Sequence, residues 1–312
     1  MLSRGVGTRF SAAGLIGSAH RPRGTTSIMS PEPPDPAAAP NADVLAPLRV
    51  RYAHWLGLDA AQVERDREEA VEDVRALQLV LRMERAQPPS WHDAVALAAS
   101  ATALLCTDAR ATTSDGPWYA AVRDYAHGHI RKVTRRARAS QWEAVQDLPG
   151  ITLSAAGRPG PVDPPLRTEV RALVPGRTAE LDKRVSKLQV GGTDAPPDDP
   201  APDPDTTAVL RVWLPPEPVM TLGKTMAQAG HASMIAAALL AGDPMTRPER
   251  ARWTAQQCAV AVRRADRLRW QELTAAVRDP HAAWRQEHLL AVRDAGFTEI
   301  APGTVTVVAR LD

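Results

Sequence analysis

The sequence carries the same order of landmarks twice, once on each side of a breaker segment, Gly191–Asp205, that is almost entirely Gly, Pro, Asp and Ala. Each side begins with an apolar run typical of a buried strand and continues into an Ala-rich stretch typical of a helix. In the first half the landmarks are Leu77–Arg82, Trp91–Leu105, Trp118, Arg135–Ala137, Trp142, Ala156–Gly157 and Glu169–Val174. In the second half they are Ala208–Trp213, Thr221–Leu240, Trp253, Arg263–Ala265, Trp270, Ala295–Gly296 and Val305–Arg310. Because their order and offset are nearly constant, we infer an internal duplication.

Within each half the pattern is strand, helix, strand, helix, strand. Strands that alternate with helices indicate an α/β fold with a mainly parallel or mixed sheet covered by helices. We therefore predict two similar domains, 46–190 with flanking helices and 207–312, joined by a linker at 191–206 that proline and repelling acids extend. Charge-dense helical sequence over Gln62–Val74 and a helical stretch at Thr178–Leu188 flank the first domain.

The composition excludes some classes of protein. The chain has 312 residues, of which 44% are hydrophobic, so sizeable cores are possible. Its apolar run Ala94–Leu105 falls well short of the roughly 20 residues that span a bilayer, so we predict no membrane partner. The net charge of +2 is compatible with an RNA substrate but does not require one. Cys106 and Cys258 make neither a disulfide framework nor a metal site, which favours the reducing cytoplasm.

The first 45 residues are rich in Arg, Ser, Ala and Pro. We expect residues 1–45 to be a disordered leader. Two alternatives stay open: a transit peptide, which is also rich in Arg and Ser and poor in acids, and an upstream start codon with Met29 as the alternative start.

A first motif opens the second half's long helix. Thr221 is a suitable N-cap, and Gly223 and Lys224 follow it. Lys224, Gln228 and His231 are spaced by four and three residues, so they share one helix face. A lysine beside a helix N-terminus favours negative charge, such as a phosphate or a developing oxyanion. An amphipathic helix with a solvated lysine and a core histidine would give the same pattern.

A second motif, Asp294–Val307, ends the chain. Asp294-Ala295-Gly296 indicates a turn, and Pro302-Gly303 indicates another turn into a strand. Period two places Thr304 and Thr306 on one strand face, as in a polar site. Taken alone, the threonines are ordinary strand formers and Asp294 is an ordinary turn residue.

Together, Gly223-Lys224…Gln228…His231-Ala232 and Asp294-Ala295-Gly296…Thr298…Ile300…Pro302-Gly303-Thr304…Thr306 resemble the type 2 peptidyl-tRNA hydrolases. The resemblance is specific over Thr207–Asp312 and survives only as pattern over Leu77–Gly176. It implies a small mixed sheet covered by helices. It also implies hydrolysis, without a metal or other cofactor, of the ester that joins a peptide to the 3′ end of tRNA.

The resemblance also implies roles for individual residues. Lys224, Asp294, Thr298 and Thr306 fall where the family keeps its proposed catalytic residues. Asp294 would orient or deprotonate the water, Lys224 would stabilise negative charge, and Thr298 and Thr306 would hold water or substrate. The residues predicted to bind the substrate or shape its site are Gly223, Gln228, His231 and Arg211.

The sequence lacks three charged residues that are common in the family, and two of them, a lysine and an arginine, could hold phosphate. Leu222 stands where the family commonly has a lysine, and Phe297 where it commonly has an arginine; Val212-Trp213 follows Arg211 where an aspartate is frequent. These losses favour an alternative, a non-catalytic RNA- or protein-binding module on the same fold. Hydrolysis of another aminoacyl or acyl ester is a third possibility.

The first half lacks the residues that are predicted to be catalytic in the second half. Ala155 stands in place of Asp294, and Trp91–Leu105 has no Gly-Lys…Gln…His pattern. We expect this half to be a degenerate copy that replaces the partner subunit of the family's dimers, which makes the chain monomeric. Its basic run, Ile130–Arg138, fits either contact with tRNA phosphates or a solvated face.

Overall fold

Two four-stranded sheet cores of the same design form the framework. A computed structural model describes residues 43–66, 69–85, 88–156, 167–193, 195, 198, 208–296 and 300–312. The expected leader up to residue 42 and most of the expected linker lie outside these residues. All described residues belong to one compact unit, Pro40–Asp312. The division into domains at 191–206 stays a prediction.

The first half contains seven α-helices and five strands among the described residues. The helices are α1 Ala46–Gly57, α2 Ala60–Asp66, α3 Trp91–Thr107, α4 Ala109–Thr112, α5 Tyr119–His127, α6 Ser140–Gln146 and α7 Lys183–Ser186. The strands are β1 Arg75–Arg82, β2 Arg131–Ala137, β3 Gly150–Ala155, β4 Thr168–Leu173 and β5 Gly176–Arg177. Short 3-10 helices occupy Val71–Asp73 and Thr178–Glu180, where the sequence predicted continuous helical stretches.

The second half contains the helices α8 Leu222–Gly242, α9 Arg247–Ala255, α10 Arg267–Ala276 and α11 Pro280–Glu287. Its strands are β6 Leu210–Leu214, β7 Val260–Arg264, β8 Leu289–Arg293 and β9 Val305–Leu311. A 3-10 turn covers Pro244–Thr246.

The two sheets have one topology. The strand order is β2-β1-β4-β3 in the first sheet, with β5 also on β1, and β7-β6-β9-β8 in the second. In the first sheet β1 and β2 are parallel and β3 and β4 are antiparallel; in the second sheet β6 and β7 are parallel and β8 and β9 are antiparallel. The predicted α/β class, with small mixed sheets covered by helices, is confirmed. The alternation of strands and helices in the sequence did not predict β3. Two sheets of the same topology are compatible with an internal duplication, which stays a hypothesis.

The helices α3 and α8 join the halves. Both are rich in alanine and buried along most of their length, as expected for helices that are covered on several sides. Small side chains let them pack closely, and Ser233 on α8 donates a hydrogen bond to the Ala99 carbonyl on α3 at 2.7 Å. One continuous apolar core contains residues of both halves.

The first helix crosses to the second half. Arg49 of α1 donates to the Ala238 carbonyl at 2.9 Å, and the Tyr52 hydroxyl accepts the Ala291 N–H of the edge strand β8 at 2.8 Å. Arg293 donates to the carbonyls of Leu56 and Leu58 at 2.6 and 2.7 Å, beside the C-terminus of α1, where a cation is favourable. These contacts hold α1 against the end of β8.

Candidate active site

A pocket of about 490 Å³ lies between the two halves of the chain. One wall is the face of α1 that carries Tyr52 and Trp55, together with residues 128–134 at the edge strand β2. The other wall is the first three turns of α8 and the end of β8. Residues from both halves therefore surround the same volume.

Four polar side chains form a network beside this pocket, and three of them, Lys224, Gln228 and Asp294, line it. Lys224 forms an ion pair with Asp294, whose Oδ2 atom also accepts a hydrogen bond from Gln228 Nε2 at 2.7 Å. Thr306 donates from Oγ1 to Gln228 Oε1 at 2.6 Å. Asp294 and Gln228 are each only 3% exposed, and Thr306 is fully buried. Sequence reasoning placed all four in the site, and the fold brings them into one network.

Local structure explains how α8 presents its residues. The Thr221 side chain accepts the Lys224 N–H, which confirms it as the N-cap. The helix spacing then directs Lys224, Gln228 and His231 towards the pocket, which all three line. Gly223 also lines the pocket, and its carbonyl accepts a hydrogen bond from Thr134 of β2 at 2.8 Å.

Asp294 is held by the turn that follows β8. Its Oδ1 accepts the Gly296 N–H at 2.7 Å, and its own N–H and carbonyl bond to Thr304 and Gly303 at 2.8 Å. Gly296 has φ of +76°, and a Cβ there would lie 2.6 Å from the Pro302 ring. Only glycine fits this turn without strain, so the spacing in the second motif has a steric cause.

Thr306 reaches Gln228 because the strand pair is irregular. Val292 pairs with Val307 and Arg293 pairs with Val305, so Thr306 is the extra residue of a β-bulge. A bulge re-aims the side chain it carries. The simple period-two prediction did not include this feature.

Of the predicted site residues, Thr298 is not among those that the structure describes, and Arg211 lies away from the pocket. Phe297 also lies outside the described residues, and the predicted role of Thr298 is untested. Arg211 lies on β6, where its guanidinium pairs with the Asp312 carboxylate. It does not line the pocket.

His231 is the next pocket residue along α8. Burial, followed by the positive charges of Lys132 and Lys224, lowers the pKa of its imidazole well below the usual range. The ring is therefore neutral at pH 7. Its Nδ1 lies 3.4 Å from Nζ of Lys132, a residue of β2 in the first half.

Sequence reasoning missed Lys132 as a site residue. It lines the pocket, and burial lowers the pKa of its ammonium group to about 7. The signal was present in the basic run Ile130–Arg138, because strand alternation places Lys132 on the same face as Thr134, which contacts α8. The sequence could not show which structure that face would meet.

Three arginines of the basic run are engaged within the protein. Arg131 forms an ion pair with Glu69, and buried Arg135 donates to Gln78 and to the Leu188 carbonyl, both at 2.8 Å. Arg136 donates to Gln189. This strand therefore differs from a free, solvated basic face.

Comparison with known protein families gave a match that lies in the second half. Residues 208–310 match the family described as Peptidyl-tRNA hydrolase PTH2. The resemblance inferred for the C-terminal half is thereby confirmed. Lys224, Gln228, Asp294 and Thr306 lie within the matched stretch, whereas α1 and Lys132 lie outside it. Comparisons with curated proteins and with solved structures gave no match.

The described residues also bear on two other classes of site. No helix in the described ranges is long and apolar enough to cross a membrane. Within the same ranges, no three His, Cys, Asp or Glu side chains are grouped as a metal ion would require.

Proposed function

We propose that the protein hydrolyses the ester bond between a peptide, or an N-blocked amino acid, and the 3′ end of tRNA. The family match over residues 208–310 supports a peptidyl-tRNA hydrolase-like function. The finer proposal rests on one observation: the buried Lys224–Asp294–Gln228 network opens onto a pocket. Such a reaction would recycle tRNA in the cytoplasm.

The hydrogen bonds of Asp294 leave room for a water molecule. A carboxylate has about four acceptor positions. Three are taken, by Lys224 and Gln228 on Oδ2 and by the Gly296 N–H on Oδ1. The remaining position can accept the proton of an attacking water. Because Asp294 lines the pocket, that water would stand beside a bound ester.

In the proposed reaction, Asp294 transfers the proton and Lys224 stabilises the developing negative charge. Water attacks the ester carbonyl carbon while Asp294 accepts its proton, and the Lys224 ammonium stabilises the negative charge that develops on the carbonyl oxygen. When the intermediate collapses, Asp294 returns the proton to the departing 3′ oxygen. The products are a carboxylic acid and tRNA with a free 3′ hydroxyl.

Gln228 and Thr306 act through Asp294. Thr306 donates to the Gln228 carbonyl oxygen, which leaves the Gln228 amide group directed at Asp294. This chain of hydrogen bonds orients the carboxylate, so both are positioning residues. In the proposal Thr298 holds water or substrate, while Gly223 and His231 contact the substrate.

The test is hydrolysis of N-acetyl-aminoacyl-tRNA by the full chain and by Asp294→Asn. The substitution preserves shape but removes the base, so we expect a loss of about 10²- to 10⁴-fold in kcat/KM. Asp115→Asn, at an exposed turn, is the matched control and should keep wild-type activity. Full activity in Asp294→Asn would reject the assignment.

Substrate comparison separates the alternatives. The proposal requires faster cleavage of N-acetyl-aminoacyl-tRNA than of free aminoacyl-tRNA or simple esters. A wild-type protein that binds tRNA without cleaving the ester would be the binding module instead. Preference for a simple ester would indicate another esterase.

A further inference from the structure

Lys132 reaches the pocket through a gap that α8 leaves for it. At Gly230, a Cβ atom would lie 3.0 Å from Cδ of Lys132 and 3.1 Å from Oγ1 of Thr102. Such a contact is tighter than carbon atoms normally tolerate, so the absence of a side chain at Gly230 lets the methylene groups of Lys132 pack directly against α8. The ammonium group of this first-half residue thereby lies next to His231 of the second half.

The ammonium group has neutral surroundings. Nζ lies 3.3 Å from the Tyr125 hydroxyl and the Ile130 carbonyl, 3.4 Å from His231 Nδ1 and 3.7 Å from Met234 Sδ. Within the described ranges, no carboxylate forms an ion pair with it.

The titratable groups around Lys132 supply no counter-charge. Burial raises the pKa of the Cys106 thiol to about 12 and that of Tyr125 well above its usual range, so both are neutral. His231 is neutral as well, and Lys224 carries the same sign of charge as Lys132. When Lys132 is protonated, its positive charge is therefore not balanced by any of these neighbouring groups.

A buried positive charge with no counter-charge is unusual for a residue whose role is purely structural. A buried charge is costly unless it is paired, and an apolar side chain packs at lower cost. The second half illustrates the apolar solution, because Val260 of β7 stands at the place equivalent to Lys132 of β2. A lysine at this position would be stabilised by an anionic ligand that forms an ion pair with it.

The position of Lys132 relative to Asp294 bears on which anion could bind there. Gln228, which holds Asp294, and His231, which contacts Lys132, are three residues apart on α8, or about 4.5 Å along its axis. In peptidyl-tRNA the phosphate nearest the ester is the 5′-phosphodiester of the terminal nucleotide, one ribose away. The carboxyl group of the peptide is esterified and carries no charge before cleavage.

We propose that Lys132 of the first half binds the phosphodiester of the tRNA's terminal nucleotide while the second half positions its ester. This inference rests on the proposed function for its ligand. The first half would then contribute directly to substrate binding, through a residue that lies outside the stretch matched by the family.

The test measures binding, independently of hydrolysis. The probes are adenosine and adenosine 5′-methyl phosphate, a phosphodiester whose single charge does not change near neutral pH. Calorimetric titration of the full wild-type chain at pH 6.5 should show roughly tenfold tighter binding of the phosphodiester, because a hydrogen bond to a charged group is lost with adenosine. The preference should shrink at pH 8.5, where Lys132 is deprotonated.

Three variants complete the experiment. Lys132→Met keeps a long apolar stem and should abolish the preference for the phosphodiester, whereas Lys132→Arg, which retains charge, should keep most of it. Lys187→Met, at an exposed position, is the matched control and should bind like the wild type. Thermal unfolding of each variant confirms that it is folded.

Two results would overturn the inference: an unchanged preference in Lys132→Met, or a wild-type protein that does not distinguish the two probes. Either result leaves the hydrolysis assay of Asp294→Asn intact. Conversely, a phosphodiester preference that depends on Lys132 in a chain without hydrolase activity would reject the proposed function and keep the anion site.

Discussion

The helices α3 and α8 begin at equivalent places in the two sheets, but the residues around their first turns differ in chemistry. Ser90 and Thr221 cap the two helices in the same way, which aligns Lys224 with Asp93 and Gln228 with Leu97. The pairs Leu153–Val170 and Val292–Val307 are equivalent in the two sheets, and counting along the chain from them aligns Asp294 with Ala155 and Thr306 with Glu169. One topology therefore carries the Lys224–Asp294–Gln228 network in one half, whereas Leu97 and Ala155 stand at two of the equivalent positions in the other half and have no polar side-chain group.

The helix end of the first half is also occupied by the chain itself. The Asp198 carboxylate accepts from Ser90 Oγ at 2.9 Å and from the His92 N–H at 3.0 Å, and it lies 2.9 Å from His92 Nδ1. The corresponding turn of α8 instead lines the pocket. The comparison shows that a helix end of this fold accommodates an anion, and that the surrounding chain decides which anion can reach it.

Among the changes that test this comparison of the two halves, the largest expected effect comes from placing the first half's residue in the second. Gln228→Leu reproduces Leu97 and removes the donor to Asp294 and the acceptor of Thr306. We expect kcat/KM for N-acetyl-aminoacyl-tRNA to fall about 100-fold, equivalent to about 2.7 kcal/mol. Gln271→Leu, at an exposed position on α10, is the control and should remain active. Equal activity of the two variants would mean that Asp294 needs no orienting amide.

A second prediction concerns the pH dependence of stability at Lys132. Its pKa is about 7 in the folded protein and 10.5 in the unfolded chain, so the unfolded state binds more protons between these values. The destabilisation is complete below pH 7 and disappears as pH rises towards 10.5. Lys132→Met should therefore be more stable than wild type at pH 7, and its advantage should shrink by up to about 1.4 kcal/mol per pH unit.

Urea unfolding of both proteins between pH 7 and 9 measures this difference. Lys187→Met provides the reference for removing an exposed lysine. A stability difference that stays constant with pH would show that Lys132 titrates normally, as a solvated lysine does.

The smallest effect is expected at the occupied helix end. Asp198→Ala removes the carboxylate that accepts from the first turn of α3. The cost should be about 1 kcal/mol in the free energy of unfolding, as for loss of a helix cap, with no change in ester hydrolysis. Urea unfolding and the hydrolysis assay test the two parts. A change in hydrolysis would mean that the two helix ends are coupled.

Much of the candidate site followed from local sequence. Helical spacing placed Lys224 and Gln228 on one face, and the glycine turn placed Asp294 after a strand. These features depend on neighbours within a few residues, which a sequence displays directly. The role of Thr306 did not follow, because it depends on a bulge between two strands whose register is a property of the pair.

The sequence by itself determined the α/β class, the repeated order of elements and the capped helix, because short-range periodicity and backbone preferences encode them. The resemblance to a known family, rather than any local pattern, indicated the residues of the polar network. Only the tertiary structure showed that α1 and β2 of the first half form a wall of the pocket in the second. Contacts such as Lys132 with His231 and Tyr52 with Ala291 join residues that are far apart in the chain. They arise because apolar burial packs α3 against α8 and thereby brings the two sheets together, and no local pattern records that packing.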